Sequence, residues 1–92
     1  MSTRTAKCSI LKRMREYLAE LGDPVYSQSL DGVVARSYAQ ATVQELISRV
    51  EKSDDPPSMV VSEFIKEMDR RSGMVFRVAY EISVDLYDHI FL

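Results

Sequence analysis

The sequence predicts an all-α fold, a small bundle of four helices joined by short connections. Three observations lead to this prediction. Four segments carry apolar residues at steps of three and four positions. Stretches that contain glycine or proline separate these segments. The one segment that also alternates like a β-strand has no second alternating segment with which it could pair.

With 92 residues, the chain has the length of a single domain. Its hydrophobic fraction of 46% is too high for a disordered protein, and no apolar run is long enough to cross a bilayer. The only cysteine, Cys8, cannot form an internal disulfide, so a reducing compartment is expected. These features predict a cytoplasmic or nuclear location.

Charge is distributed unevenly along the chain. Residues 1–15 hold five basic residues and no acidic one, or +5, whereas the other seven of the 12 basic residues stand against all 14 acidic residues, or −7. Residues 1–8 are predicted to form a flexible basic leader before a single helical domain at 9–92. The leader is rich in hydroxyl groups and poor in acids, as mitochondrial presequences are, so a mitochondrial location is the minor alternative.

The first helix is predicted from Ser9 to Leu21, with Ser9 or Thr5 as its N-cap. Gly22 supplies a left-handed C-cap, and Pro24 prevents the helix from continuing. The predicted buried positions recur at alternating steps of three and four. They are Leu11, Met14, Leu18 and Leu21.

The second helix is predicted over residues 29–52, capped by Ser29 or Asp31. Glu45 and Arg49 stand four residues apart, in the order that favours an ion pair on the solvent side. The small residues that would let a neighbouring helix approach closely are Ala35, Ala39 and Ala41. The predicted buried positions are Val34, Tyr38, Val43, Leu46, Ile47 and Val50.

The stretch "SDDPPS" at 53–58 predicts the start of the third helix, which extends to Arg71. Asp55 is expected to be its N-cap, because Pro56 and Pro57 fit the first turn, where a missing N–H leaves no bond unmade. Gly73 is expected to cap its C-terminus. The predicted inward positions are Val61, Phe64, Ile65 and Met68.

The last segment, "FRVAYEISVDLYDHI" at 76–90, fits two periods. Its apolar residues alternate like those of a strand, but a strand over 76–86 would be about twice the usual length. Without a partner, such a strand would also leave its backbone groups unsatisfied. A helix satisfies these groups internally and places Arg77 and Glu81 at ion-pair spacing. A helix from Gly73 or Met74 to Ile90 is therefore predicted.

This last helix has an unusually wide apolar arc. Beside its main stripe it carries an adjoining face formed by Tyr80, Val84, Tyr87 and Phe91. Such a helix is either central in a bundle or covered by another chain. The sequence therefore predicts a protein–protein interaction module (an adaptor, regulator or complex subunit) that binds a protein partner or a second copy of itself. The predicted partner-binding residues are Val78, Ile82, Leu86, Tyr87, Ile90 and Phe91.

Apolar or small residues of the last helix also occur in adjacent pairs. The pairs are Val78 with Ala79, Ile82 with Ser83, Leu86 with Tyr87, and Ile90 with Phe91. In this respect the segment resembles the amphipathic helices by which kinase-anchoring proteins occupy the groove of a regulatory-subunit dimer. The resemblance implies a helix that docks in a partner's groove. The alternative interpretation of the same pairs is ordinary core packing within this chain.

A basic patch on the first helix supports the alternative function. Lys12, Arg13 and Arg15 occupy about one turn and could contact phosphates, so the alternative is a nucleic-acid-binding regulator. No aromatic residue is interleaved with these bases, and the rest of the chain is acidic. Nucleic acid is therefore the less expected partner, and attraction to an acidic protein or a solvated face is preferred.

Enzymatic chemistry has little support in the sequence. Asp85, Asp88 and His89 lie close together but fall short of the ligand set of a structural metal site. The three glycines are scattered, so the sequence has no phosphate-binding loop. The prediction is a protein without catalytic residues, bound metal, cofactor or small-molecule substrate.

Overall fold

The computed structural model describes residues 3–21 and 32–92, with side chains described at 7–21 and 37–92. These residues form four α-helices and no β-strand, which confirms the predicted all-α bundle. The helices are α1 (Thr3–Leu21), α2 (Gly32–Lys52), α3 (Pro57–Arg70) and α4 (Met74–Phe91). The two interpretations of the last segment are thereby decided in favour of the helix.

The centre of the bundle is formed by α2 and α4. These two helices pack directly on each other, and α1 and α3 each pack against both of them. Hydrogen bonds from Arg13 to the carbonyl of His89 and from Tyr17 to Asp85 show that α1 runs antiparallel to α4. Of the two explanations for the wide apolar arc, a central position therefore applies to α4.

A single core of buried apolar side chains connects the four helices, and all four contribute to it. Short polar side chains enter it at two points. Thr42 and Ser83 are buried, and each hydroxyl donates a hydrogen bond to the carbonyl four residues earlier. Within the described residues, every buried side-chain nitrogen or oxygen has a hydrogen-bond partner. The buried apolar residues are Leu11, Met14, Tyr17, Leu21, Ala39, Val43, Leu46, Ile47, Val50, Val61, Phe64, Met68, Ala79, Ile82, Leu86 and Ile90.

The first helix is longer than predicted. It begins at Thr3, so Thr5 and Ser9 lie inside it rather than at its N-cap, and residues 3–8 belong to α1. These residues include neither glycine nor proline, which suits a helix. Lys7 fixes this part to the end of α2, because its Nζ donates to the carbonyl oxygens of Glu51 at 3.1 Å and Ser53 at 2.7 Å.

The buried stripe of α1 includes a residue that the sequence reasoning missed. Leu11, Met14 and Leu21 are buried as predicted, whereas Leu18 is only partly buried. Tyr17 is 2% exposed and continues the three-and-four spacing between Met14 and Leu21. Its hydroxyl donates to Asp85 Oδ2 at 2.5 Å, which explains how a tyrosine is tolerated there.

The prediction for α2 is confirmed in its second half and wrong at Tyr38 and Ala41, which are exposed. Val43, Leu46, Ile47 and Val50 are buried as predicted. Tyr38 is 38% exposed, because its position is rotated by about 100° from that of buried Ala39. The predicted caps, Ser29 and Asp31, lie outside the described residues, as does the side chain of Val34.

The predicted N-cap of α3 is wrong. Pro56 occupies the N-cap position, its carbonyl accepts the backbone N–H of Met59 and of Val60, and no side chain caps the helix. Pro57 is the first helical residue, as its fixed φ angle and missing N–H favour. The backbone N–H of Asp55 instead donates to Ser53 Oγ at 3.0 Å, within the turn before the helix.

The predicted end of α3 also differs. The C-cap is Arg71, in an extended conformation, and Gly73 serves as the N-cap of α4 with a φ angle of 122°. A side chain at this φ would be strained, so glycine is required here for the turn into α4. The predicted inward residues Val61, Phe64 and Met68 are buried, and Ile65 is partly buried.

An ion-pair network joins α2 to α3. Arg49 bonds to Glu45 at 3.0 Å, as predicted, and also to Glu67 of α3 at 3.2 Å. Its guanidinium lies 4.9 Å from the ring centroid of Phe64. The hydrogen bond to Glu45 is the main cause that raises the pKa of Arg49 above its ordinary value. Glu67 also pairs with Arg71, so the network reaches the turn before α4.

Candidate protein-binding surface

The structure divides the six predicted partner-binding residues into two groups. Ile82, Leu86 and Ile90 are at most 5% exposed and belong to the core of this chain. They lie on the face that α4 buries against the other helices, so the bundle would have to open before a partner could touch them. Val78, Tyr87 and Phe91 are only partly buried.

The burial of these residues also explains the adjacent pairs by which α4 resembles anchoring helices. Each of the four adjacent pairs contributes at least one buried residue to this chain's own core. The buried members are Ala79, Ile82, Ser83, Leu86 and Ile90. Core packing therefore accounts for these pairs.

A second apolar row of α4 stays partly accessible. It consists of Tyr80, Val84, Tyr87 and Phe91, all of intermediate exposure, and we call it the aromatic strip. Its members are spaced four, three and four residues apart, so they follow one side of the helix. The strip corresponds to the adjoining face of the sequence, although Tyr80 and Val84 were not among the predicted partner-binding residues.

The aromatic strip lies on the side of α4 that faces α3. Tyr80 shares a cleft with Met68 and Asp69 near the end of α3. Tyr87 shares another with Ser62 and Lys66.

We call the surface formed by the aromatic strip and by the α3 residues that share these clefts with it the α3–α4 groove. Its α3 side includes two short serine side chains, Ser58 and Ser62, near Tyr87, which leave the aromatic ring accessible.

One end of the α3–α4 groove holds a pair of aromatic rings. The rings of Tyr87 and Phe91 lie 5.0 Å apart, centroid to centroid, in a tilted arrangement typical of aromatic pairs. Met59 of α3 lines the same cleft as Tyr87 and is 50% exposed. Sequence reasoning missed Met59, because it lies outside the inward stripe of α3 and no motif distinguishes it.

The basic patch predicted on α1 is largely engaged within the chain. Arg13 donates to the carbonyl oxygens of His89 at 3.0 Å and Ile90 at 2.8 Å, the unpaired acceptors at the end of α4. Arg15 pairs with Glu51 of α2 at 3.3 Å. Lys12 is exposed. The structure thus directs Arg13 and Arg15 toward the C-terminal ends of two different helices, where the helix dipole favours positive charge.

Asp85 and His89, near the end of α4, also have a neighbour on α1. Asp85 accepts the hydroxyl of Tyr17, and the ring of His89 lies 5.6 Å from the ring of Tyr17. Within the described residues, no group of three or more His, Cys, Asp or Glu side chains is arranged to hold a metal ion. Cys8 is exposed.

Comparison of the chain with protein-family models, with curated proteins and with solved structures finds no match. Among the described helices, none is both long and apolar enough to span a membrane.

Proposed function

We propose that this protein is a small helical protein–protein interaction module, and that the α3–α4 groove is its docking surface. It would serve as an adaptor, a regulator or a subunit of a complex. The observation that carries the proposal is the aromatic strip: four neighbouring apolar side chains on one helix, three of them aromatic, that the bundle covers only in part.

The chemistry of the strip suits protein recognition. Tyrosine combines a large apolar ring with a polar hydroxyl, a combination that is enriched where binding energy is concentrated in protein interfaces. The hydroxyls of Tyr80 and Tyr87 make no hydrogen bond to another described group, so they can bond to a partner without losing a bond within the chain. By contrast, the hydroxyl of Tyr17 is bonded to Asp85.

The dimensions of the strip suit a helical partner. From Tyr80 to Phe91 the strip extends over 11 positions, or about 16 Å along the helix axis. That length corresponds to about three turns of a helix lying in the α3–α4 groove, with its own apolar residues at steps of three and four. A second copy of the chain, giving a homodimer, is the other occupant to be tested. The expected location is the cytoplasm or the nucleus.

The test is affinity capture from a lysate of the native cells, with retained proteins quantified by mass spectrometry. The variant Met59→Glu/Phe91→Glu places two charges at the end of the groove that holds the Tyr87–Phe91 pair, and it should reduce partner recovery by roughly tenfold. Tyr38→Glu is the matched control, because Tyr38 is an exposed aromatic residue on α2, outside the groove. It should recover partners as the wild type does.

Two further measurements make the result decisive. Circular dichroism must show that both variants keep the helical content of the wild type. Sedimentation of the wild type over a wide concentration range detects a homodimer, which the groove substitutions should dissociate. A wild-type protein that is monomeric throughout and recovers the same proteins as Met59→Glu/Phe91→Glu would overturn the proposal.

A further inference from the structure

The negative charge of this protein lies on the half of the chain that forms the α3–α4 groove. Residues 53–92 contain eight acidic and four basic residues, a net charge of −4, whereas the whole chain carries −2. The acidic residues are Asp54, Asp55, Glu63, Glu67, Asp69, Glu81, Asp85 and Asp88. The basic residues are Lys66, Arg70, Arg71 and Arg77.

Most of these bases are already matched with an acid nearby. Three of the four form an ion pair with a residue three or four positions away: Lys66 with Glu63, Arg71 with Glu67, and Arg77 with Glu81. Within the described part of the chain, Asp55, Asp69 and Asp88 form no ion pair. The uncompensated charge of this half is therefore negative.

Two of these acids, Asp69 and Asp88, border the α3–α4 groove. Asp69 lines the cleft that contains Tyr80, where the neighbouring bases Arg71 and Arg77 are paired with Glu67 and Glu81. Asp55 instead lies with Met59 in a cleft between α2 and α3. Asp88 follows Val84 by four positions and precedes Phe91 by three, so it is their neighbour on the helix surface. Each end of the aromatic strip is thus bordered by an unpaired carboxylate.

We infer that the element docking in the α3–α4 groove is an amphipathic helix of another protein that carries lysine or arginine beside an apolar stripe. The inference rests on the proposed function and names the chemistry of its partner. Complementary charge at the rim of an apolar contact speeds association and excludes acidic competitors. An acidic helix would meet the carboxylates of Asp69 and Asp88, which form no ion pair with a described residue.

A second copy of this chain is a poorer source of the basic helix. Its most basic element is α1, but Lys7, Arg13 and Arg15 bind the ends of α2 and α4 within the same chain. To serve as the docking helix of a neighbour, α1 would also have to expose Met14 and Leu21, which are fully buried. The charge pattern therefore favours a different protein.

The experiment uses two synthetic 18-residue helical peptides and the full chain labelled with ¹⁵N. Both peptides carry leucine at alternating steps of three and four; one has lysine at the flanking positions and the other has glutamate. Backbone amide shifts locate each peptide and give its Kd. The lysine peptide should shift the amides of residues 80–91, and the glutamate peptide should bind at least about tenfold more weakly.

Substitutions distinguish attraction to Asp69 and Asp88 from general attraction between opposite charges. Asp69→Asn/Asp88→Asn should weaken the lysine peptide by roughly fivefold at low salt, and added salt should reduce the difference. The matched control, Glu16→Gln/Glu20→Gln, neutralises two exposed acids of α1. It should leave the Kd unchanged.

The outcomes distinguish this inference from the proposed function. Equal affinity of the two peptides at the aromatic strip would overturn the basic partner and leave the docking surface in place. An equal loss in Glu16→Gln/Glu20→Gln would also overturn it, since the attraction would then be nonspecific. If neither peptide shifts the amides of the strip, the basic partner and the docking surface both fail.

Discussion

The two sides of α4 differ in how many of their polar groups form hydrogen bonds within the chain. On the side facing α1, Arg13 binds the last carbonyls of α4 and the hydroxyl of Tyr17 binds Asp85. On the side facing α3, the rings of Tyr80 and Tyr87 are partly exposed, and their hydroxyls bond to no described group of the chain. The α1 side is therefore joined to the rest of the fold by polar bonds that the α3 side lacks, and this difference is why we propose the α3 side as the docking surface.

Leu86→Asp should cause the largest loss of unfolding free energy. It tests whether the Leu86 side of α4 belongs to the core. Leu86 is 0% exposed at the centre of α4, so an aspartate there would be a buried charge without a partner. The expected loss is about 3–5 kcal/mol of unfolding free energy, a large share of what a small domain has. Urea denaturation followed by circular dichroism measures it.

Phe91→Glu is the control for this substitution, since Phe91 is only partly buried at the end of α4. It should keep a cooperative unfolding transition. If Leu86→Asp unfolded at the same urea concentration as the wild type, Leu86 would not be in the core, and the division of α4 into a core row and an aromatic strip would be wrong.

Tyr17→Phe should have the next largest effect, on the α1 side. It removes the hydroxyl that donates to Asp85 Oδ2 at 2.5 Å while keeping the buried ring. The expected loss is about 1.5–3 kcal/mol, the usual range for a hydrogen bond to a charged acceptor. Tyr87→Phe, on the α3 side, should change the unfolding free energy by less than about 0.5 kcal/mol. Equal losses of unfolding free energy in Tyr17→Phe and Tyr87→Phe would contradict the difference between the two sides of α4.

Arg13→Ala should destabilise the protein by about 1 kcal/mol, because the last carbonyls of α4 lose a charged donor. Lys12→Ala, at the neighbouring exposed position, should have no measurable effect. Thermal melting of both variants checks this difference.

The alternative function, nucleic-acid binding through α1, makes a different prediction for the same pair. A phosphate-binding surface would lose affinity for random duplex DNA in both variants, with a shallower dependence on salt. Salt-dependent duplex binding that weakens equally in Lys12→Ala and Arg13→Ala would support the alternative.

Much of the fold could be predicted from the sequence because helix period and helix breakers are local signals. The helical nature of 74–91 followed from the missing partner strand, and three of the four inward residues named for α3 are buried. The misplaced caps of α3 are local errors, whereas the missed burial of Tyr17 concerns a contact between segments far apart in the sequence. Tyr17 fits the three-and-four spacing of α1, but the acceptor that allows its hydroxyl to be buried, Asp85, lies 68 residues away in the sequence.

The candidate surface was predictable only in part for the same reason. The sequence indicates that α4 has more apolar residues than one stripe requires, but not which row the other helices cover. Leu86 and Tyr87 are adjacent in the chain, and one is buried while the other borders the α3–α4 groove. Met59 joins this surface only through the packing of α3 against α4.

Asp55→Ala should have the smallest effect on the unfolding free energy. It distinguishes the N-cap that the sequence predicts, Asp55, from the N-cap in the structure, Pro56. The sequence places Asp55 as the cap of α3, which predicts a loss of about 1 kcal/mol. In the structure Pro56 is the N-cap and no side chain caps the helix, so only the attraction between the carboxylate and the helix dipole is lost. The expected loss is below about 0.5 kcal/mol at low salt, and it should vanish near 1 M salt, where screening acts within about 3 Å.

A loss of about 1 kcal/mol that persists at high salt would indicate a capping hydrogen bond from Asp55. Ser53→Ala is the useful comparison, because it removes the acceptor of the Asp55 N–H at an exposed site, and its effect should not depend on salt.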